Sequence, residues 1–328
     1  MQVKRKLLSE NSERKNVKNV SLIFHSRIPA KLILFGEWGV LKNYPALGLA
    51  LDKFFECTLE ESEKEGLEIK CPECFFHWKD DEENEKDEAP DFLKNSQEVL
   101  RYIFKKPVKA LNKKKLTLKR NWDLSEGLGS SSALFLSLLI LEQKINFQKR
   151  KFSQKEILSF QKKLIEFQGG GSGFDLLIQA CGGFLKTNPL EKLKTELPPE
   201  LLLVHTGRKM KTSEALKSMP QNIHEKIFSE IGKSTENFFK NQNWELCIHE
   251  HFELLKMLGV IPPFVLSLQN EWVEKKWISC LKTTGAGGGD TLMLWTRVEH
   301  RKELLNDLIK KGYWVETSQP SNASIIDS

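Results

Sequence analysis

The sequence Glu126-Gly127-Leu128-Gly129-Ser130-Ser131-Ser132-Ala133 is the most informative stretch of the chain, because a glycine-rich turn runs there into an apolar helix. Gly127 and Gly129 permit backbone angles and close approaches that a β-carbon would block. The serines can cap the helix that follows. Free N–H groups and the positive end of the helix dipole form an anion site at such a helix start, and phosphate is the obvious anion.

The helix after this turn is apolar nearly all round at residues 134–141, so we expect it to be buried and to hold the turn rigidly. The turn is not a Walker loop, because no Gly-Lys-Ser/Thr follows at the required spacing. It also lacks the three spaced glycines of a dinucleotide site. Taken alone it is compatible with a tight connection before a helix as well as with a phosphate loop.

Composition is that of a soluble globular protein, with 328 residues, 40% hydrophobic, 29% charged and a formal net charge of +6. This length suits two domains or one large one, and the mild positive charge is compatible with anionic substrates. Residues 1–20 are basic and polar and predict a flexible arm without the apolar core of a signal peptide. No apolar run reaches membrane-spanning length. We therefore expect a cytoplasmic protein without a membrane partner.

Two other functions are weakly supported by the sequence. Six scattered cysteines predict reduced thiols, and Cys71-Pro72-Glu73-Cys74 with His77 lacks the fourth ligand of a structural zinc site. Lys113-Lys114-Lys115 and the basic arm could attract nucleic acid, but neither carries a base-reading motif. We expect no zinc and no nucleic-acid partner.

Three further features surround the glycine-serine turn. Strand-like runs at 21–24 and 31–35 place Lys31 just before Gly36-Glu37. Asp175 follows a glycine-rich break, and Thr284-Gly285-Ala286-Gly287-Gly288-Gly289 is a second glycine-rich loop. Each feature also has a simpler explanation: a surface lysine, a helix-capping aspartate and a flexible connection.

Together, three stretches resemble the motifs of the GHMP kinases, a family that includes galactokinase, homoserine kinase, mevalonate kinase and phosphomevalonate kinase. They occur in the family's order from about residue 25 onward. The stretches are Pro29-Ala30-Lys31-Leu32-Ile33-Leu34-Phe35-Gly36-Glu37, Gly127-Leu128-Gly129-Ser130-Ser131-Ser132-Ala133 and Thr284-Gly285-Ala286-Gly287-Gly288-Gly289.

The resemblance implies an α+β fold of two domains, an N-terminal α/β domain and a C-terminal ferredoxin-like domain, with the active site between them. Pro198 and Pro199 interrupt regular structure and mark a boundary. The predicted divisions are an arm at 1–20, an ATP-binding domain at 21–198 and a second domain at 199–328.

The resemblance also implies ATP and Mg²⁺ as cofactors and assigns roles to individual residues. Asp175 would be the general base with Lys31 beside it, and an aspartate near a lysine stays ionised and can take a hydroxyl proton. The assigned ATP-binding residues are Gly127, Leu128, Gly129, Ser130, Ser131, Ser132, Gly285, Ala286, Gly287 and Gly288. The assigned substrate-binding residues are Lys31, Glu37, Ser172, Gly173, Asp175 and Gly287. The assigned metal ligands are Ser131 and Glu166.

Within the family the sequence resembles the mevalonate-pathway branch. Trp38, Ser172-Gly173-Phe174-Asp175 and Gly288-Gly289-Asp290 are similar to phosphomevalonate kinases, which implies transfer of the ATP γ-phosphate to 5-phosphomevalonate. Pro45-Ala46-Leu47-Gly48-Leu49-Ala50-Leu51 is shared with mevalonate kinases, so mevalonate is the alternative acceptor. A phosphorylated acceptor would require further cations, for which Arg27, Arg208 and Lys209 are candidates.

The motifs are also compatible with a different acceptor or with binding alone. Another sugar or amino-acid hydroxyl could be the acceptor of such a kinase. A protein that binds ATP without catalysis would carry similar loops, but the intact Lys31, Ser131 and Asp175 argue against it. The expected partners are small molecules, and the protein is expected to be a monomer or a homodimer.

Overall fold

The computed structural model describes residues 21–72, 74–78, 91–104, 109–123, 126–208, 221–285 and 288–326. The predicted arm at 1–20 lies outside these residues, and so do Ala286, Gly287 and Lys209. The described chain forms two sheets with helices packed against them, which confirms the predicted α+β class.

The first sheet contains the longest strands of the chain. Its order is β4-β3-β5-β2-β6-β7, and β1 lies antiparallel along β2. Strands β3 and β5 run parallel to each other. The strand bounds are β1 (Leu22–Phe35), β2 (Leu47–Glu61), β3 (Leu67–Cys71), β4 (Cys74–Trp78), β5 (Lys114–Arg120), β6 (Phe184–Lys186) and β7 (Glu191–Leu193).

The second sheet is antiparallel and has the order β11-β8-β10-β9. Every strand in it comes from the C-terminal part of the chain. The bounds are β8 (Leu201–His205), β9 (Ile278–Thr283), β10 (Thr291–Thr296) and β11 (Trp314–Val315).

The helices include one that is buried along most of its length, as its all-round apolar sequence predicts. Residues 132–141 of α2 are buried. Ser153 and Glu156 form a capping box at the start of α3. The bounds are α1 (Asp91–Phe104), α2 (Ser130–Phe147), α3 (Gln154–Gln168), α4 (Phe174–Cys181), α5 (Gln221–Asn241), α6 (Trp244–Met257), α7 (Pro263–Glu274) and α8 (Arg301–Lys310).

Strand β1 corrects one expectation from the sequence. The runs at 21–24 and 31–35 are not separate strands but the two ends of one strand, with a register shift between Pro29 and Ala30. Proline cannot donate a ladder hydrogen bond, but β1 pairs with β2 alone and so tolerates it. The continuous strand carries Lys31 toward the site described below.

Two apolar cores accompany the two sheets, but the chain crosses between them. The C-terminal segment returns to the first sheet, where the N–H of Ser321 donates to the carbonyl of Ala50 in β2. The N–H of Ile325 donates to the carbonyl of Ala180 in α4. The domain boundary at 198/199 stays a prediction. The boundary agrees with the sheets, because β1 to β7 form the first sheet and β8 to β11 form the second. It does not describe the C-terminal segment, which packs on residues before 198.

One cysteine departs from the prediction of reduced thiols, because Cys71 takes part in a disulfide bond. Free thiols are found at Cys57, Cys181, Cys247 and Cys280.

Among the helices in the described part of the chain, none has the length and apolar character required to cross a bilayer.

Candidate active site

The glycine-serine turn forms a loop that is held in place by a main-chain hydrogen bond from β1. The N–H of Lys31 donates to the carbonyl of Leu128 at 3.1 Å. Gly129, in the left-handed conformation at φ 84°, is the N-cap of α2. The sequence predicts serine caps here, but no described side chain caps this helix end. Instead the indole N–H of Trp122 donates to Ser130, and Ser132 donates to the carbonyl of Gly129. The first main-chain N–H groups of α2 are therefore not capped by its own serines.

Lys31 and Asp175 meet, as the resemblance implies. The Nζ of Lys31 lies 3.1 Å from Oδ1 of Asp175, and 9% of the lysine side chain and 36% of the aspartate side chain are exposed. Asp175 lies in the first turn of α4, two residues after Gly173, which has a left-handed backbone conformation. The N–H of Phe174 donates to the hydroxyl of Ser172. The pair is thus a nearly buried ammonium next to a carboxylate that remains open to the cleft.

Gly129 is required for the path of the lysine side chain. A β-carbon at Gly129 would lie 2.8 Å from Cε and 2.8 Å from Cγ of Lys31. On the other side, Nε2 of the fully buried Gln179 donates to the carbonyl of Gly129 at 3.0 Å. The loop, the lysine and α4 are therefore packed as one unit.

The second glycine-rich loop approaches the first one at Asp290. The N–H of Gly285 donates to the carbonyl of Ile33 at 3.4 Å, which places this loop over β1. A β-carbon at Gly127 would lie 2.1 Å from Oδ2 of Asp290. The Asp290 carboxylate therefore lies directly against the backbone of the glycine-serine turn.

Asp290 is a site residue to which the sequence reasoning gave no role. Its carboxylate lines the cleft, and its Oδ1 accepts from the N–H of Thr291 at 3.0 Å. Burial raises the pKa of this carboxyl, although the positive charge of Lys31 opposes the rise. Its place directly after the glycines of a recognised motif was the signal that could have identified it.

A second set of groups fixes the Gly36-Glu37 turn, whose Glu37 also lines the cleft. The Nζ of the fully buried Lys282 lies 2.5 Å from Oε1 of Glu37. Burial raises the pKa of Glu37, and the charge of Lys282 offsets part of that rise. Nε2 of His251 accepts from the N–H of Gly36 at 3.2 Å, and its Nδ1 donates to the carbonyl of Cys247.

The cleft between these groups has a volume of about 500 Å³. It is also lined by Trp38, a residue with φ 66° whose ring stacks on Phe228.

The sequence-predicted residues that line the cleft are Lys31, Glu37, Gly127, Gly129, Ser131, Ser132, Ser172, Gly173, Asp175, Gly285 and Gly288. The predicted residues Leu128 and Ser130 do not line it, because Leu128 is buried and Ser130 is bonded to Trp122. Ala286 and Gly287 lie outside the described residues.

Glu166 does not fit the metal role assigned to it from the sequence. Leu164 and Gln168 of α3 line the cleft, whereas Glu166 is exposed and does not. Residues two positions apart point to different sides of a helix, so Glu166 faces away from the cleft. It interacts instead with the hydroxyl of Tyr102, whose pKa is raised by burial and by this carboxylate.

The candidate cations for a phosphorylated acceptor are engaged elsewhere or lie outside the described residues. Arg27 lies 3.3 Å from Glu56 and packs on the ring of Phe54. Arg208 packs on the ring of Phe264. Neither arginine lines the cleft, where Lys31 is the one cationic side chain among the described residues.

The curated proteins that match this chain in sequence are mevalonate kinases, whereas the solved structures of similar fold include other kinases as well. No family model matches the chain. A curated mevalonate kinase from Saccharolobus solfataricus is 25% identical over 301 residues, which cover 85% of this chain and 91% of that protein. The solved mevalonate kinase of Methanococcus jannaschii is similar in fold, with a TM-score of 0.70, 24% identity and coverage of 90% of this chain and 98% of that one.

A second solved structure extends the similarity of fold to another enzyme of the same branch. A phosphomevalonate kinase from Streptococcus pneumoniae gives a TM-score of 0.65 at 15% identity, over 91% of this chain and all of that one. At this level of identity, the comparison establishes the fold alone.

Proposed function

This chain is a homologue of the mevalonate kinases and has the fold of the GHMP kinases, and from that premise we propose that it transfers the γ-phosphate of ATP to the hydroxyl of mevalonate. The observation that supports the proposal most strongly is the Lys31–Asp175 pair at 3.1 Å. The pair lies in a cleft that both glycine loops also line. A base, a cation and a loop suited to phosphates are thus present in one cavity.

In the proposed reaction Asp175 accepts the proton of the acceptor hydroxyl as its oxygen bonds to the γ-phosphorus of ATP. The bond between that phosphorus and the β,γ-bridging oxygen breaks, and ADP leaves with the electron pair. Lys31 orients the carboxylate and offsets negative charge on the transferring phosphoryl group. Positioning and charge stabilisation supply most of the rate in phosphoryl transfer, so a rigidly held pair suits this chemistry.

The phosphate loop would bind the triphosphate through main-chain groups. The start of α2 offers N–H donors, the positive end of the helix dipole and the hydroxyl of Ser131, which lines the cleft. Gly127 and Gly129, both at positive φ, bring the backbone to the cleft surface without side chains in the way. These features favour phosphate at this end of the cleft.

Mg²⁺ prefers hard oxygen ligands and commonly bridges protein carboxylates and substrate phosphates. Ser131 and Asp290 both line the cleft, and their hydroxyl and carboxylate oxygens fit this preference. We therefore assign the metal to Ser131 and Asp290 in place of Glu166. When bound, the ion would neutralise charge on the β- and γ-phosphates.

Mevalonate is favoured as the acceptor by the charges that line the cleft. Lys31 is the one cationic side chain among the described lining residues, and it is paired with Asp175. A second phosphate on the acceptor would add negative charge that this lysine alone cannot balance. The curated proteins that match this chain in sequence are mevalonate kinases as well.

The second candidate acceptor is 5-phosphomevalonate, the first choice from the sequence. Gly288-Gly289-Asp290 and Ser172-Gly173-Phe174-Asp175 resemble the phosphomevalonate kinase forms of the motifs. Lys209 and Lys211 follow β8 in the sequence and provide cations outside the described residues.

The test is an assay of ADP release with MgATP and each acceptor at matched concentrations. The proposal predicts a higher kcat/KM for mevalonate than for 5-phosphomevalonate. The reverse ratio would transfer the assignment to the second candidate. Turnover with neither compound would reject both.

A further inference from the structure

A buried polar cluster lies directly behind the first residue of the phosphate loop. The Nζ of Lys53 lies 2.9 Å from Oε2 of Glu126 and 2.8 Å from Oε2 of Glu316. Nε2 of the fully buried His205 lies 2.7 Å from the same Glu316 oxygen. With Thr291, these residues form what we call the anchor cluster: Lys53, Glu126, His205, Thr291 and Glu316.

The anchor cluster contains a set of metal-ligating groups but holds its own cation. Ligand atoms of Glu126, His205 and Glu316 lie within 4.8 Å of one another. The ammonium of Lys53 is within hydrogen-bond distance of both carboxylates, so it supplies the positive charge that a metal would otherwise bring. Burial alone would raise the pKa of Glu316, but hydrogen bonds from His205 and Lys53 outweigh it and hold that pKa below its usual range. The cluster is therefore an internal ion network rather than a metal site.

Thr291 connects this network to the main chain of the loop. Its hydroxyl donates to the carbonyl of Glu126 at 3.0 Å. The same hydroxyl oxygen lies 2.9 Å from Nδ1 of His205. Polar contacts therefore run from Glu316 through His205 and Thr291 to the carbonyl immediately before Gly127.

The two ends of the network belong to different sheets. Lys53 lies on β2 of the first sheet, whereas His205 and Thr291 lie on β8 and β10 of the second. Glu316 follows β11, and its N–H donates to the carbonyl of Leu203 in β8. The network thus joins the start of the phosphate loop to the sheet that carries the second glycine loop.

We propose that Thr291 and the anchor cluster are positioning residues for the nucleotide, because they fix the distance between the phosphate loop and the second glycine loop. The inference rests on the proposed function, since it takes the ligand of the loop to be the triphosphate of ATP. The Gly36-Glu37 turn, whose Glu37 also lines the cleft, is held by different groups, Lys282 and His251. Loss of the anchor should therefore weaken nucleotide binding and leave acceptor binding unchanged.

Strand β10 offers a matched pair of threonines for the experiment. Thr296, at its other end, is also buried and donates from its hydroxyl to a carbonyl, that of Glu200 at 2.8 Å. Thr291→Val and Thr296→Val each remove one buried hydroxyl of the same kind without a change in shape. Thr291→Ser restores the hydroxyl and serves as the rescue variant.

The measurements are the Kd for MgADP by titration calorimetry, the KM values for ATP and acceptor, and the melting temperature. Loss of hydrogen bonds at the loop predicts that Thr291→Val raises the Kd for MgADP and the KM for ATP about five- to tenfold. The acceptor KM stays at the wild-type value, Thr291→Ser recovers most of the nucleotide affinity, and Thr296→Val lowers the melting temperature without a change in Kd.

Equal nucleotide affinity in Thr291→Val and wild type would overturn the inference, and so would an equal loss in Thr296→Val. If Thr291→Val does not fold, Glu316→Gln takes its place, because it keeps the side-chain volume and removes the charge. We expect Glu316→Gln to raise the Kd for MgADP in the same way. A Kd equal to that of the wild type in this variant would overturn the inference. Wild-type protein that fails to bind MgADP at all would instead refute the proposed function, so the two failures are distinct.

Discussion

The ammonium of Lys31 lies 3.1 Å from the carboxylate of Asp175, although one residue is on β1 and the other is on α4. Two backbone features produce this contact. The N–H of Lys31 is bonded to the carbonyl of Leu128, and Gly129 leaves open the space through which the lysine side chain passes. The glycine-serine turn therefore positions the proposed catalytic pair.

The proposed base is tested by Asp175→Asn. We expect kcat to fall by about 10²–10⁴-fold, because the amide cannot take the hydroxyl proton. The melting temperature should stay close to that of the wild type, since the amide oxygen can still accept from Lys31. Steady-state kinetics and thermal unfolding measure the two effects. Glu166→Gln on the neighbouring helix is the control and should keep full activity. A kcat for Asp175→Asn close to that of Glu166→Gln would refute the role of Asp175 as the base.

The close approach at Gly129 is tested by Gly129→Ala. Its methyl group would lie 2.8 Å from two carbons of Lys31, so we expect loss of activity together with a lower melting temperature. Gly259→Ala is the matched control, because Gly259 also has a positive φ, of 70°, but has nothing within 4 Å of the added carbon. Left-handed strain alone costs roughly 1–2 kcal/mol, and we expect Gly259→Ala to show that loss of stability with activity intact. If both variants keep equal activity, the packing of Lys31 on Gly129 is not important for catalysis.

Sequence reasoning identified the parts of the site that depend on local chemistry. Gly127 and Gly129 adopt the positive φ values that their roles in a tight loop require, and the apolar helix after them is buried. Lys31 and Asp175 were paired through the resemblance to a family, since no local signal joins β1 to α4. Serine capping of α2 was wrong, because Ser130 and Ser132 bond to other groups.

Other groups could not be predicted because their environments are created by the tertiary structure. Lys282 appears in the sequence as one more lysine before a glycine-rich loop, yet it is fully buried beside Glu37. His205 and Glu316 are distant in sequence and meet only because β11 pairs with β8. Glu166 was chosen as a metal ligand from its proximity to Asp175 in sequence, but its position on α3 points it away from the cleft.

The metal assignment is tested by Asp290→Asn. The amide keeps the shape of the side chain but lacks the charge of a carboxylate ligand, so Mn²⁺ should bind the ADP complex at least several-fold more weakly. Electron paramagnetic resonance of free Mn²⁺ measures this without turnover. Glu166→Gln should bind Mn²⁺ as the wild type does. Weaker binding in Glu166→Gln alone would return the metal to Glu166.

The buried His251 predicts a specific dependence of stability on pH. Burial, with a smaller effect of Lys282, lowers the pKa of His251 to about 3 from a usual value of 6.5. Below pH 6.5 the unfolded chain takes up a proton that the folded protein does not, so stability falls as the pH falls toward 3. Between pH 7 and pH 5 this difference corresponds to about 2 kcal/mol.

Urea unfolding of wild type and His251→Gln at both pH values isolates this contribution. The glutamine does not titrate, so the variant should lose about 2 kcal/mol less than the wild type between pH 7 and pH 5, whatever its absolute stability. The same loss in both proteins would show that His251 does not stay neutral in the folded state.

The most direct test of the central claim is ³¹P NMR of the purified protein with MgATP and mevalonate. The arrangement of Lys31, Asp175 and the two glycine loops around one cleft predicts that a new phosphomonoester signal grows in step with ADP. ATP that remains unchanged, or ADP that appears with inorganic phosphate and no phosphoester, would contradict the account.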